Sequence, residues 1–313
     1  MGPPGTFLRP LPCGEPPHYV FARAPLLIYW EATCACDLAC RHCRAEVVAV
    51  RHPGELSTEE GRAMLREARR FGDPPPHLVI TGGDPLKRPD LWDLIAAAVE
   101  QGFGVSLAPS GTGLLTQEVI RRLAASGIQS LSLSLDGSTA GRHDAFRGVP
   151  GRFEVTLQAA RWVRAVGIPL QINTLLDLAR DAPFAIKTTE VPHDRRVAVV
   201  RMRAAGMDDA VIARTPVGRG FGVRDGNGIM FVSHTGEVYP SGFLPLGAGN
   251  VRTSSIVELY RASPLFVRLR DVDRLTGKCG ACPFKAICGG SRARAYAWSG
   301  DEMGSDPLCP YQP

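Results

Sequence analysis

The sequence predicts an α/β protein in which parallel strands alternate with helices, followed by a smaller cysteine-rich domain. Between about residue 25 and residue 173, short apolar runs alternate with amphipathic segments. The amphipathic segments end at glycines that can adopt the left-handed conformation closing a helix: Gly72, Gly102, Gly127 and Gly167. This alternation indicates right-handed crossovers between parallel strands, in either an open doubly wound sheet or a barrel.

Each element follows from a local pattern. Strands are expected where apolar runs occur, at 26–30, 78–80, 105–107, 131–135 and 170–173. The first helix should begin at Ser57, because Ser57-Thr58-Glu59-Glu60 matches a capping box. Further helices are expected near 91–98, 116–125 and 155–163. A hairpin at 229–239, turning near Thr235-Gly236, and a helix at 256–271 follow. We therefore expect an N-terminal arm (1–24), a large domain (25–225) and a small domain (226–313).

Composition narrows the class of protein. The 313 residues are 44% hydrophobic, and the net charge of +5 is spread over predicted helix faces, so we expect no nucleic-acid partner. The sequence has neither an N-terminal apolar region of the signal-peptide type nor the roughly 18 consecutive apolar residues of a membrane span. Nine cysteines, mostly in two clusters, indicate metal binding in a reducing cytoplasm rather than disulfides. A cytoplasmic protein with no membrane partner is expected.

The first cysteine cluster is a C-x₃-C-x₂-C run, made of Cys36, Cys40 and Cys43 and placed directly after the first strand. Three thiolates can hold three irons of a [4Fe–4S] cubane and leave the fourth iron open to a ligand. A zinc site is the alternative, with Cys34 or His42 as its fourth ligand. The spacing favours the cluster.

A glycine pair follows the second strand, in Thr81-Gly82-Gly83-Asp84-Pro85. Glycines let a ligand approach the backbone closely, and a carboxylate can accept hydrogen bonds from an amine. A plain glycine-rich turn between strand and helix is the alternative interpretation.

Together, the cysteine run and the glycine pair resemble the motifs of the radical S-adenosylmethionine (SAM) enzymes. The resemblance covers about residues 25–313 and implies a partial (β/α)₆ TIM-like barrel, open on one side. It implies that the open iron chelates SAM and that one electron from a flavodoxin or ferredoxin cleaves SAM to a 5′-deoxyadenosyl radical. That radical then abstracts hydrogen from a substrate.

The resemblance also implies cofactor-binding residues. His42 would lie beside the adenine, and Gly82, Gly83 and Asp84 would hold the amino group of SAM, with Asp84 where Glu is commoner. Ser110, Ser134 and Asn173 end later strands, although polar residues there are often simple caps. By similarity, Ser134 and Arg147 would contact the ribose and carboxylate of SAM.

The second cysteine cluster consists of Cys279, Cys282, Cys288 and Cys309. These four thiolates could build a structural zinc site. They also resemble the auxiliary iron–sulfur domain called SPASM or twitch, which implies an auxiliary [4Fe–4S] cluster. Ser241 stands where the full SPASM pattern would have a cysteine, so one auxiliary cluster is expected rather than two.

One stretch departs from the family. After Asn173 too few residues remain for the fifth helix and the sixth strand, since a crossover takes at least ~10–12 residues. We expect that a segment is missing near 175–183, and that a second discontinuity lies near Arg203-Ala204-Ala205. The sixth strand and its adenine contacts are left unassigned.

The substrate follows from the resemblance only in outline. A ribosomally made peptide or protein side chain is the favoured substrate, because that is the commoner use of the auxiliary domain. The alternative is propionate modification or decarboxylation of a tetrapyrrole in a haem pathway. Arg292 and Arg294 could bind propionates, but capping of the auxiliary cluster is favoured. Cys13 and Cys34 are expected to be bystanders. A non-catalytic zinc protein is the alternative from another class.

Overall fold

The computed structural model describes residues 20–41, 43, 48–173, 185–187 and 192–313. These residues form two compact units. The first unit holds residues 28–41, 43, 48–173, 185–187 and 232–237. The second unit holds residues 20–27, 192–231 and 238–313. No helix in these ranges is both long enough and apolar enough to cross a membrane.

A parallel sheet forms the framework of the first unit. Its strands are β1 (Leu27–Glu31), β2 (His77–Thr81), β3 (Val105–Leu107), β4 (Ser130–Ser134), β5 (Leu170–Asn173) and β6 (Ala185–Lys187). They lie in the order β6-β5-β4-β3-β2-β1, and the pairs from β2 to β6 are parallel. The sheet does not close, because β6 is an edge strand. The α/β prediction is confirmed, and β6 is an element that sequence analysis missed.

Helices connect these strands. They are α1 (Thr58–Ala68), α2 (Leu91–Glu100), α3 (Gln117–Ala125), α4 (Ala140–Arg147) and α5 (Arg152–Ala165). The capping box of α1 is present: the Ser57 hydroxyl accepts from the Glu60 amide at 3.2 Å, and the Glu60 carboxylate accepts from the Ser57 amide at 2.7 Å. The apolar faces of these helices are buried in the core, as at Leu65 and Leu94.

The helix α4 carries Arg147 at its end. Gly148 closes α4 in the left-handed conformation, with φ of 71°. A β-carbon at Gly148 would also lie 2.4 Å from the Ala39 carbonyl oxygen. Glycine is therefore required there for both reasons, and it lets the end of α4 touch the cysteine-bearing loop.

The second unit is built from short elements. A hairpin consists of β7 (Ile229–Val232) and β8 (Glu237–Tyr239); its residues 232–237 belong to the first unit and the rest to the second, which also holds β9 (Gly249–Asn250). The turn is closed by a hydrogen bond of 3.0 Å from the Gly236 amide to the Ser233 carbonyl, so the predicted hairpin is confirmed. The helices are α6 (Asp194–Ala204), α7 (Asp209–Arg214), α8 (Pro216–Arg219), α9 (Ile256–Ala262), α10 (Pro264–Arg270), α11 (Gly277–Ala281) and α12 (Arg292–Ser299).

The single helix expected at 256–271 is wrong, because α9 and α10 are separate. Ser263 lies between them in an extended conformation, with φ of −60° and ψ of 139°. Pro264 has no amide hydrogen and disfavours helical geometry at the residue before it. Ser263 therefore ends α9 and caps α10, whose Phe266 amide donates to the Ser263 hydroxyl at 3.4 Å.

The two expected discontinuities have different outcomes. The stretch 175–183 lies outside the described residues. Near Arg203 the helical hydrogen bonds continue without a break, because the Ala205 amide donates to the Arg201 carbonyl at 3.0 Å and the Gly206 amide donates to the Arg203 carbonyl at 2.9 Å. The expectation of a discontinuity there is wrong.

Candidate metal centres and cofactor site

The loop that carries the first three cysteines is hydrogen-bonded to the glycine motif after β2. The Gly83 amide donates to the Thr33 carbonyl and the Asp84 amide to the Ala35 carbonyl, each at 2.7 Å. A β-carbon at Gly82 would lie 2.5 Å from the Thr33 oxygen, and one at Gly83 would lie 2.5 Å from the Ala35 oxygen. The two glycines are therefore required by the close approach of these two backbones.

The three predicted cluster thiols lie together in this loop. Cys36 is buried, Cys40 is half-buried and Cys43 is exposed. The Leu38 amide points at the Cys36 sulfur at 3.4 Å. Burial raises the pKa of the Cys36 thiol, against the lowering effect of the Leu38 amide and of the nearby Ser110 side chain. Cys40 is within electrostatic range of both Cys36 and Cys43, and burial raises its pKa as well.

Asp84 is fully buried, and both oxygens of its carboxylate accept hydrogen bonds from within the protein. One oxygen accepts from the Leu86 amide at 3.2 Å, and the other accepts from the Thr112 hydroxyl at 2.5 Å. Burial raises the pKa of this carboxyl group in spite of those donors. The Ser110 hydroxyl donates to the Gly83 carbonyl, which places Ser110 between the glycine pair and Cys36. Sequence analysis gave no signal for Thr112.

Arg147 is fixed beside Cys40. Its Nε donates to Asp136 at 2.6 Å, and one terminal nitrogen lies 3.7 Å from the Cys40 sulfur. The other terminal nitrogen donates to the Ser134 carbonyl at 3.4 Å. Arg147 is buried, so its positive charge lies next to a candidate iron ligand in a poorly solvated place. Of the predicted residues, Ser134 and Arg147 are thus brought together with the cysteine loop.

Within the described residues, no hydrogen bond joins Asn173 to the cysteine loop, and His42 lies outside those residues. Asn173 ends β5, and its side chain accepts from Gln171 at 2.8 Å. Lys87 is a residue that sequence analysis missed: its ammonium group contacts Asp37 and donates to the Ala49 carbonyl at 2.7 Å, so it ties the two sides of the cysteine loop.

The Cys34 amide and thiol both contact the Glu55 carboxylate. The Glu55 carboxylate accepts from the Thr33 hydroxyl at 2.6 Å, the Cys34 amide at 3.1 Å and Arg51 at 2.6 Å. The Cys34 sulfur lies 3.8 Å from the same carboxylate. Burial, together with the neighbouring Glu55 carboxylate, raises the pKa of the Cys34 thiol.

In the second unit, all four predicted cysteines line one cavity. Its wall also includes Gly289, Gly290, Tyr311, Arg196, Lys278 and Lys285. Backbone amides point at three of the sulfurs: Phe284 at Cys282, Gly290 at Cys288 and Asp306 at Cys279, at 3.3–3.4 Å. Amide donors aimed at sulfur stabilise thiolates, so the residues present fit an iron–sulfur cluster.

Two further features of this cavity bear on what it can hold. A β-carbon at Gly290 would lie 3.1 Å from the Cys279 sulfur. The Gly290 backbone therefore passes close to this sulfur, and a larger residue there would crowd it. Burial raises the pKa of the Cys288 thiol to about 11, so metal binding there must release a proton. Within the described ranges, no three His, Cys, Asp or Glu side chains are arranged to hold a single metal ion.

The two arginines after Cys288 are used inside the protein. Arg292 is fully buried and donates to the carbonyls of Glu302 and Gly304 at 3.0 and 2.7 Å. Arg294 pairs with the buried carboxylate of Asp306 at 2.6 Å. These contacts agree with the capping interpretation, because neither guanidinium group is left to bind a substrate carboxylate.

Comparison with known sequences gives a family and its relatives. The profile described as the radical SAM superfamily matches residues 30–178. The AdoMet-dependent heme synthase of Nitratidesulfovibrio vulgaris is 36% identical, covering 92% of each chain. That alignment spans 347 residues, more than the 313 of this chain, so the relative contains segments that this chain lacks. The PqqA peptide cyclase of Methylocella silvestris is 29% identical, covering 92% of this chain and 88% of the relative.

Comparison with solved structures gives the same fold. SuiB of Streptococcus suis bound to S-adenosylmethionine has a TM-score of 0.66 and 16% identity, covering 92% of this chain and 76% of that one. At this identity the likeness shows a shared fold, the partial TIM-like barrel with an unclosed sheet. The predicted barrel is confirmed.

Proposed function

The chain belongs to the radical SAM superfamily, and we propose that it modifies the propionate side chains of a tetrapyrrole, as part of haem formation. The observation that carries this proposal is the 36% identity, over 92% of both chains, with an AdoMet-dependent heme synthase. Relatives that modify peptides are less similar, at 29% identity for the PqqA peptide cyclase. The substrate favoured by sequence analysis, a peptide, therefore becomes the second candidate.

We assign the SAM-binding [4Fe–4S] cluster to Cys36, Cys40 and Cys43. When bound, the cluster supplies the electron that cleaves SAM and so provides the radical that takes hydrogen from substrate. Ser110, after β3, donates to the carbonyl of Gly83, after β2, beside Cys36, and we assign Ser110, Gly82, Gly83, Ser134, Asn173 and His42 to the same SAM pocket. We assign Asp84 to its wall, where the bonds to Leu86 and Thr112 hold the glycine turn in place.

Arg147 supplies the positive charge of this pocket. Its guanidinium is held by Asp136 at 2.6 Å and lies beside Cys40, where it can attract the carboxylate of SAM. A guanidinium has several N–H donors in one plane, so Arg147 can donate to Asp136 and to a second carboxylate at the same time. In this pocket Arg147 would hold the carboxylate of SAM beside the cysteine loop.

We assign the auxiliary [4Fe–4S] cluster to Cys279, Cys282, Cys288 and Cys309. Support comes from the single cavity that all four line and from the three amides aimed at their sulfurs. Oxidation of a propionate to a vinyl group removes one hydrogen atom, then carbon dioxide and one electron. The auxiliary cluster is the acceptor that we propose for that electron, and a flavodoxin or ferredoxin in the cytoplasm is the proposed donor for SAM cleavage.

The test uses anaerobically purified protein with about eight irons per chain. A propionate-bearing iron porphyrin is titrated while the Soret band is followed, and the complex is then given dithionite and SAM. We expect a Soret shift, 5′-deoxyadenosine, and a product lighter by carbon dioxide and two hydrogens per side chain. Cys40→Ala should abolish the reaction, whereas Cys34→Ala should retain it.

The peptide candidate is favoured by one observation, the similarity to the PqqA peptide cyclase. It predicts a different result in the same assay. Protein that cleaves SAM but shows no Soret shift and leaves the porphyrin unchanged would exclude the tetrapyrrole. Colourless protein that contains zinc and is indifferent to SAM would exclude both candidates.

A further inference from the structure

Arg292 is a buried cation that points at a candidate iron ligand. Its side chain is inaccessible to solvent. One terminal nitrogen lies 3.4 Å from the Cys279 sulfur, and the other donates to the carbonyls of Glu302 and Gly304. The guanidinium is therefore held in a fixed position by backbone carbonyls, with one edge turned to the sulfur.

The charge of Arg292 lacks a hydrogen-bonded carboxylate among the described residues. Its guanidinium bonds reach only carbonyl oxygens and the Cys279 sulfur. A second buried guanidinium, Arg224, likewise donates to the carbonyls of Gly222, Leu269 and Arg270. The buried carboxylate of Asp225 accepts from the Arg292 and Ala293 amides and supplies one negative charge near these two cations. Buried charges are costly unless they are compensated, and iron-bound thiolates would provide the remaining compensation.

We propose that Arg292 sets the reduction potential of the auxiliary cluster, by donating a hydrogen bond to the Cys279 ligand sulfur and by placing a positive charge beside it. This inference rests on the auxiliary cluster of the proposed function. Taking up one electron adds one negative charge to the cluster and its thiolates. A cation fixed next to them stabilises the reduced form and so raises the potential.

The direction of the effect follows from electrostatics. Potentials of iron–sulfur clusters depend on net charge, on hydrogen bonds to the sulfurs and on exposure to solvent. Charges interact strongly where water is excluded, and Arg292 is completely buried. Removal of its charge should therefore favour the oxidised form. We expect a change of about tenfold or more in the one-electron reduction equilibrium, which corresponds to ~59 mV per factor of ten.

The test isolates the auxiliary cluster by replacing Cys36, Cys40 and Cys43 with alanine in the full chain. The midpoint potential is measured by anaerobic redox titration with EPR detection. In that background, Arg292→Met should lower the midpoint potential by ~59 mV or more. Arg292→Lys, which keeps the charge, should lower it less. The matched control is Arg270→Met, because Arg270 also donates to carbonyls, those of Tyr260 and Arg261. It should leave the potential unchanged.

A second measurement does not require the Arg292 variants to fold. The full chain carrying the Cys36, Cys40 and Cys43 replacements, so that Arg147 has no cluster beside it, is labelled with ¹⁵N-arginine and reduced, and hyperfine coupling between the auxiliary cluster and ¹⁵N is recorded. We expect a coupling that persists in Arg196→Gln, because the Arg196 guanidinium lies over the Tyr311 ring at 4.6 Å. Absence of any arginine coupling would overturn the proposal.

The outcomes separate this inference from the proposed function. If the variant lacking the first three cysteines binds no iron, the auxiliary cluster is absent and the inference falls with it. If it binds about four irons but Arg292→Met leaves the potential unchanged, the cluster stands and only the role of Arg292 is wrong. A lowered potential in Arg292→Met but not in Arg270→Met would support the proposal.

Discussion

At the scale of the residue, Gly83 determines how closely the cysteine loop can approach β2. A β-carbon there would lie 2.5 Å from the carbonyl oxygens of both Cys34 and Ala35. Backbone atoms cannot move away from such a contact as the end of a side chain can. The Cys36 sulfur lies one residue beyond Ala35, so its position depends on this close approach.

We therefore expect Gly83→Ala to displace the cysteine loop and to lower the iron content of the first site. The matched control is Gly113→Ala, since a β-carbon at Gly113 meets nothing within 4 Å. Iron and sulfide content and the midpoint of thermal unfolding should be measured for both variants. Equal iron loading of the two would show that the loop tolerates the added methyl group.

Arg147 provides a second test at this scale. Arg147→Lys keeps the charge but loses the planar group that bonds Asp136 and Ser134 together. We expect SAM affinity to fall by about tenfold, or ~1.4 kcal/mol, with iron content unchanged. Arg142→Lys, at an exposed position of the same helix, is the control for an equilibrium titration with SAM. Unchanged affinity in Arg147→Lys would remove Arg147 from the SAM pocket.

Tyr260 makes stability depend on alkaline pH. Its hydroxyl donates to the Phe21 carbonyl at 2.7 Å, and burial raises its pKa to about 12. The unfolded chain has a tyrosine pKa of about 10. The contribution of this group to the free energy of unfolding is therefore complete below about pH 10 and is lost as the pH rises towards about 12.

The corresponding measurement is urea unfolding between about pH 8 and pH 11. The free energy of unfolding of the unsubstituted protein should fall more steeply above pH 10 than that of Tyr260→Phe, which has no phenol to ionise. Parallel curves for the two proteins would contradict the assignment.

At the scale of the element, the cysteine loop is held from both sides by residues of its neighbours. Lys87, in the turn after β2, bridges Asp37 and the Ala49 carbonyl. The end of α4 adds hydrogen bonds from the Ala39 amide to the Arg147 carbonyl at 3.2 Å and from the Arg41 amide to the Phe146 carbonyl at 3.0 Å. The loop has little regular structure of its own, so these contacts order it.

Lys87→Met should consequently loosen the loop and speed the loss of iron to a chelator, with little effect on global stability. An exposed ion pair contributes only about 0.2–1 kcal/mol, so the effect should be local. Arg66→Met is the control, because Arg66 pairs with Glu59 on the exposed face of α1. Equal rates of iron loss in the two variants would show that Lys87 does not secure the loop.

The elements also show what sequence patterns can and cannot predict. The Ser57 capping box and the run Val105–Leu107 depend on neighbouring residues alone, and both were predicted correctly. The break at Ser263 was missed because apolar spacing continues through Pro264, although proline cannot continue a helix. The strand β6 was missed because Ala185–Lys187 is too short to give an alternating pattern.

The candidate site likewise contains residues that the sequence predicts and residues that it does not. The cysteines were found because their spacing is local, whereas Thr112 and Lys87 were not, since each reaches its partner across 28 or more positions of sequence. The partner of Arg147 likewise lies eleven positions away, on Asp136. Contacts of this kind depend on how strands and helices assemble, and no short pattern encodes them.

At the scale of the whole molecule, the two sets of cysteines belong to different compact units. We expect each set to load its cluster independently. Cys282→Ala should keep about four irons and should still form 5′-deoxyadenosine, but it should not complete the oxidation of substrate. Cys34→Ala is the control for the loss of a thiol that is not a ligand. Loss of SAM cleavage in Cys282→Ala would show that the two sites depend on each other.

Three of the seven candidate ligands share a feature that reaches beyond the folded state. The sulfurs of Cys36, Cys282 and Cys288 each face the amide two residues further along the chain, at 3.4 Å. Such a pair needs no distant part of the sequence, so ligand and donor leave the ribosome almost together. Each candidate ligand and its amide donor are therefore neighbours in the unfolded chain as well, and only the placement of one cysteine relative to the others depends on the fold.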